Sequence, residues 1–256
     1  MQPSELYEHA AELYLNAHTS TGSTALITLV EDEWPALASR DPNPHDAETC
    51  RLVMLATAQA QDYPAVRLWR ARALARFTAI GWLEGVGTIL MSEAFTELAH
   101  INSDYSNGRT LDVVRPSKAA LGIMEEVERF TVEPGSGIRL GPSSPSQPFL
   151  KRLFHENRGL LQLLLGDFEA ARHSYDQALV AAGDHARGRI KVRLGRLLVD
   201  YLSDPDNSRR SELATKTAEL GHEAAHAQSP DVAETAATNA AAMRAGSRKI
   251  SPYAIL

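Results

Sequence analysis

The sequence is poor in what several architectures need. It has one cysteine, Cys50, so no disulfide can form within the chain and a disulfide-stapled fold is excluded. Valine and isoleucine together number 21 of 256 residues, too few for a β-sandwich or a parallel sheet of this length. No stretch approaches the roughly 18 apolar residues of a membrane-spanning helix. Met1-Gln2-Pro3-Ser4-Glu5 carries neither the basic segment nor the apolar core of a signal peptide, which makes the cytosol the expected compartment. Excess positive charge is missing too. A formal net charge of −6 speaks against nucleic-acid binding through the bulk field.

What is abundant is alanine and leucine, 38 and 31 residues. Both lose little rotamer freedom in a helix, whereas β-branched side chains lose χ1 freedom there. Helical periodicity, broken by short turn signals, predicts helices near 4–18, 23–38, 46–61, 64–80, 83–101, 109–130, 149–165, 167–182, 186–202, 209–227 and 230–245. Pro35 is expected to kink or shorten the second of these. Ser229-Pro230 predicts a helix start with a capping hydroxyl and a proline in the first turn. The charge is unevenly spread: residues 1–50 hold nine acids and one base, Arg40, leaving the remaining 206 residues at +2.

Between Thr131 and Pro148, 11 of 18 residues are glycine, proline or serine. A connection of that length is uncommon inside a compact domain. It reads as a surface crossover, or as a segment that covers a binding surface. Residues 203–208 form a smaller insertion.

Residues 152–183, RLFHENRGLLQLLLGDFEAARHSYDQALVAAG, hold a helical hairpin pattern. Gly159 permits close approach of a partner helix, Gly166-Asp167-Phe168 makes a tight turn, and Ala171, Tyr175 and Ala178 alternate small, large and small on one face. This unit resembles a tetratricopeptide repeat, with His155 where that family usually has tryptophan and Gly183 at its terminal proline. A weaker unit covers 66–97 through Trp69, Ala73, Trp82, Gly85, Ile89 and Ser92. Leu194-Gly195 restores the pattern in the next unit, whose second helix offers Ala214, Ala218 and Gly221. The alanine-rich helix 231–245 reads as a cap. The resemblance implies an all-α fold, a tetratricopeptide-like α-solenoid: a right-handed superhelix of antiparallel hairpins. The chain then divides into degenerate repeats at 1–130, the crossover at 131–148 and clearer repeats at 149–256, read as one continuous solenoid.

The resemblance also implies function. Such solenoids bind peptides along the face lined by the first helix of each repeat, without cofactor. Asn157 falls where the family commonly pairs with a peptide backbone. Arg189 and Arg193 fall where peptide-binding members keep cations for a carboxylate, including a C-terminal one. Arg196 extends their stripe, and Arg67 and Arg70 would face the same groove. A guanidinium suits this task because it grips carboxylates through two hydrogen bonds. The expected protein is therefore a scaffold, adaptor or regulatory sensor with a protein or peptide partner and no membrane contact. The competing reading of these arginines is a solvated helix face paired within the chain, with the acidic first fifth as one source of partners, even as an autoinhibitory contact. The segment Arg248 to Leu256 ends apolar and offers a surface for a neighbour or a second copy, hence a homodimer.

Two further patterns carry chemistry. His222-Glu223-Ala224-Ala225-His226 matches HExxH, in which two imidazoles one turn apart, His222 and His226, hold zinc and Glu223 acts as general base. A zinc peptidase is the alternative reading, but no third ligand follows at the usual spacing. Trp69 among Arg67, Arg70, Arg72 and Arg76 could stack on nucleic acid; the repeat explains it as a packing residue. Cys50 has His45 nearby but no orienting third group, and reads as a core residue.

Overall fold

A computed structural model describes residues 1–15, 20–106, 114–141 and 144–248, with backbone alone at 20–22 and 95–106. The fold is all-α. Among the described residues there are eleven helices and no strand: α1 Pro3–Leu15, α2 Ser20–Ser39, α3 Pro44–Gln59, α4 Tyr63–Ala79, α5 Leu83–Ser106, α6 Val114–Val132, α7 Gln147–Leu164, α8 Phe168–Ala182, α9 Ala186–Ser203, α10 Arg210–His226 and α11 Pro230–Arg244. None is long and apolar enough to cross a membrane among the described residues. Every expected helix is found. The expected ends at 16–18 and 109–113, and the tail 249–256, lie outside the described residues. Two compact units result, one of residues 1–96 with 129–147, the other of 97–128 with 148–256.

The turns between helices share one construction. At 57–62, 77–82, 162–167, 224–229 and 242–247 the last helical turn closes through the same pair of backbone bonds. Asp167 N–H donates to Gln162 O and Gly166 N–H to Leu163 O, and the other four repeat this. In each, one residue adopts the left-handed conformation: Gln61, Gly81, Gly166, Gln228 and Gly246. This satisfies carbonyls that a helix end would otherwise orphan. The following helix is then capped locally, by Asp62 on Ala65 N–H and by Asp167 on Ala170 N–H. At Ser229 the expected hydroxyl cap is absent: Oγ donates instead to Ala227 O, 3.4 Å away, because the left-handed Gln228 turns that carbonyl back within reach. Nor does Pro35 shorten α2, which runs four residues past it. Residues 31, 32, 35 and 36 are exposed, so water can serve the carbonyl that proline leaves without a donor.

In the first unit, α3 packs against α1, α2 and α4. It is buried almost all round, and it carries Asp46, Glu48 and Arg51 inside. Arg51 donates to both Glu48 oxygens, at 2.9 and 2.6 Å. Burial opposes the Arg51 charge, yet the Glu48 carboxylate beside it leaves its pKa raised. Asp46 accepts from Asn43 Nδ2 at 2.7 Å and has Arg40 and Arg76 at 3.7 and 3.8 Å. Two of the nine acids of the first fifth are thus consumed inside their own unit. Phe77 on α4 meets Trp82 edge-on, and Gly85 on α5 faces the Phe77 ring so closely that a Cβ there would lie 2.1 Å from it.

The 133–146 connection belongs to this unit, and several of its described residues are tied down. Glu84 accepts from Ser136 N–H at 3.0 Å, and Trp82 Nε1 donates to Pro145 O at 3.2 Å. Ser144 Oγ accepts from the N–H groups of Leu140 and Gly141. Gln147 Nε2 reaches three carbonyls at the end of α6, those of Phe130, Thr131 and Glu133, at 2.7–3.2 Å.

In the second unit the core runs through α8 to α11. Tyr175 on α8 lies fully buried between Gly159 of α7 and Gly195 of α9. A Cβ at Gly159 would sit 3.1 Å from its ring, and one at Gly195 only 2.5 Å. Gly221 similarly brings α10 against Ala236 of α11. Ala236 and Ala240 are fully buried, while Ala237 and Ala241 face solvent.

Gly195→Ala is expected to cost about 2–3 kcal/mol, as overpacking does, and more than Gly159→Ala. Urea unfolding of the two variants measures the difference. Gln228→Gly is expected to raise stability by about 0.5–1 kcal/mol, since glycine occupies the left-handed region without its Cβ penalty. A shift of the thermal midpoint upward, with unchanged helical content, is the readout.

Candidate partner-binding site

The arginines of α9 are positioned by a helix that alternates its faces strictly. Ile190, Val192, Leu194, Leu198 and Val199 turn inward, leaving Arg189 and Arg193 exposed on one stripe four residues apart. The helix starts on His185, whose Nδ1 accepts from Gly188 N–H at 2.9 Å, a cap that no sequence rule for Ser, Thr, Asp or Asn would find.

Each α9 cation has a partner within the unit. Arg189 Nη1 donates to Gly183 O at 3.0 Å. Arg193 Nη1 donates to both oxygens of Glu223, at 2.8 and 2.7 Å, with the two side chains 45% and 48% exposed. Arg196 pairs with Asp176 of α8 and buries its Nε. Arg187 reaches Asp231 at the start of α11, 2.6 Å away. Arg187, Arg193 and Arg196 thus each face a carboxylate of their own unit, whereas Arg189 is bonded to a neutral carbonyl. Asn157 lies half-buried on α7, one turn from a more deeply held network, in which Arg152 and Lys191 converge on Glu156 at 2.5 and 3.2 Å. No local pattern marks this network, because Lys191 lies 35 residues from Glu156 and on a different helix.

Arg67 and Arg70 lie on α4, in the first unit. Arg67 is exposed, and Arg70 is 3.4 Å from Glu93. Their neighbour Trp69 is fully buried, edge-on to Trp34, so its face is closed to any base. Arg72 lies over both rings, 3.7 Å from the Trp34 centroid and 4.4 Å from that of Trp69. Arg76 is buried and donates to Leu37 O at 2.5 Å. The basic residues around Trp69 are thus largely internal braces. Cys50 is fully buried beside them, and burial pushes its thiol up to about 12. It stays protonated at neutral pH, without nucleophilic character.

His222, Glu223 and His226 sit on exposed positions of α10, while Ala224 between them is fully buried. Glu223, the candidate base, is engaged by Arg193. Among the described residues no group of three or more His, Cys, Asp or Glu side chains is arranged to hold a metal ion. Among those residues, His222 and His226 have no third donor beside them of the kind a catalytic zinc site keeps.

His155, at the tryptophan position of the repeat pattern, is buried and edge-on to Phe154. Burial, helped by the Lys151 and Arg158 charges, lowers its pKa to about 4. No family model matches the chain, and no curated protein matches its sequence.

The His155 shift has a definite sign. The folded state holds the imidazole neutral, while the unfolded chain protonates near the ordinary value of about 6.5, so stability is full above that pH. It falls as pH drops toward 4, by roughly 1–3 kcal/mol from this residue. His155→Phe should flatten that part of the pH profile, measured by chemical denaturation at a series of pH values.

Proposed function

We propose that the chain is a non-enzymatic binding protein of tetratricopeptide type, holding a peptide or protein partner against the first-helix face of its second unit. The Gly159–Tyr175–Gly195 stack supports the repeat reading, since its small and large residues meet as that resemblance requires. A right-handed superhelical course of the hairpins belongs to the same proposal.

The observation that carries the binding reading is the weak hold on Arg189 and Arg193. One is bonded to a backbone carbonyl and the other to a half-exposed carboxylate. Exposed pairs of this kind contribute about 0.2–1 kcal/mol each, so a partner carboxylate can displace them at small cost. Arg196, which extends the stripe, is paired with Asp176 of α8 and would have to exchange that carboxylate for the partner's. Asn157 would supply a side-chain amide to the partner's backbone from α7. A scaffold, adaptor or regulatory sensor would each use such a face.

Affinity capture with the full chain, followed by mass spectrometry, identifies the partner. The Arg189→Ala/Arg193→Ala variant is expected to bind that partner at least roughly tenfold more weakly, with unchanged folding. Equal affinity of variant and wild type would remove the arginine face from the mechanism.

A further inference from the structure

The second unit has a cleft of another chemistry. It lies between α6 and α7, has a volume of about 100 Å³, and is lined by Leu121, Met124, Glu125, Glu128, Phe154 and Arg158, with Gln162 at one end. Positions 121, 124, 125 and 128 form one stripe of α6, and 154, 158 and 162 form one stripe of α7, so the cleft is the seam of two helices. Met124 and Phe154 are each 1% exposed and make its floor. The carboxylates of Glu125 and Glu128 stand exposed on its rim.

One side chain of the protein already shows what this arrangement accepts. The Arg158 guanidinium lies 5.8 Å from the centroid of Phe154, and its Nη1 donates to Glu128 Oε1 at 3.2 Å. A cation is thus held by an aromatic ring and a carboxylate together. Even with Arg158 counted, the two rim acids leave the cleft at −1. Its volume suits one side chain. A purely apolar guest would shield the rim charges from water without pairing them, and an acidic guest would meet two carboxylates.

We infer that this cleft receives a lysine or arginine side chain from a protein partner, its aliphatic stem on Leu121, Met124 and Phe154 and its charged head between Glu125 and Glu128. The inference rests on the reading of the chain as a binding protein, but not on its arginine face. It deepens that reading by giving the partner a basic residue flanked by apolar ones, in addition to the carboxylate proposed for α9.

The probes are three acetylated, amidated tripeptides, Ile-Arg-Ile, Ile-Gln-Ile and Ile-Glu-Ile, titrated into the full chain and followed by amide chemical shifts. Ile-Arg-Ile should bind in the millimolar range usual for so small a ligand, shifting amides of 121–128 and 154–162, with Ile-Gln-Ile weaker and Ile-Glu-Ile weakest. Glu125→Gln/Glu128→Gln, both at exposed positions, should weaken Ile-Arg-Ile roughly fivefold, with helical content and thermal midpoint recorded beside it to show that the fold is kept. The Arg189→Ala/Arg193→Ala chain should bind it as the wild type does, which separates this site from the α9 face. The inference is overturned if the three peptides bind alike or none binds. It is overturned equally if the double glutamine variant is unaffected, or if the shifts move to α9.

Discussion

Three helices of the second unit, α7, α8 and α9, come together where an aromatic ring finds residues without a side chain. Tyr175 fills the space between α7 and α9 because Gly159 and Gly195 leave it open. In the first unit, Phe77 is received by Gly85 in the same way. Interhelical distance is set at these points, and side chains elsewhere along the hairpins must fit the separation that results. The three-residue turns at 60–62, 80–82, 165–167 and 227–229 depend on it as well. A left-handed residue reverses the chain within one helical diameter, which suits neighbours already held close.

The first unit adds a constraint of a different kind. A helix buried on nearly every side ordinarily carries apolar residues throughout. α3 instead carries three ionised groups, and removing them from water costs several kcal/mol each unless paired. Glu48 and Arg51 meet that condition one turn apart on the same helix, before any tertiary contact forms. Asp46 meets it through Asn43, through Arg40 just past the end of α2 and through Arg76 of α4. Such pairs add little net stability, but removing one partner leaves the other charge buried and uncompensated.

Periodicity located the helices because the amphipathic stripe and the breakers at Gly81, Gly166 and Gly183 are local properties. The glycine–tyrosine contact was legible too, through its spacing. Harder to see were facts that depend on which charges meet across helices. Arg193 and Glu223 belonged to separate readings, a peptide clamp and a metal base, yet they bond to each other. Asp46 and Glu48 counted as part of an acidic surface and are interior. Arg72 and Arg76 looked like a basic patch around Trp69, whereas they brace Trp34 and the end of α2. Net charge along a sequence carries no information on such pairings, and the α6–α7 seam has no motif at all. Its acids are ordinary surface residues until the fold sets them over Phe154.

Gln147 has a topological effect. By bonding three carbonyls at the end of α6 from the first position of α7, its amide joins the two ends of the 133–146 connection. The intervening backbone is therefore a closed loop, and its contour length is separate from the geometry of the helices it links. For a loop whose ends already meet, doubling the length costs only about 0.6 kcal/mol of closure entropy. What limits its length is instead the hold of Glu84 on Ser136 and of Trp82 on Pro145.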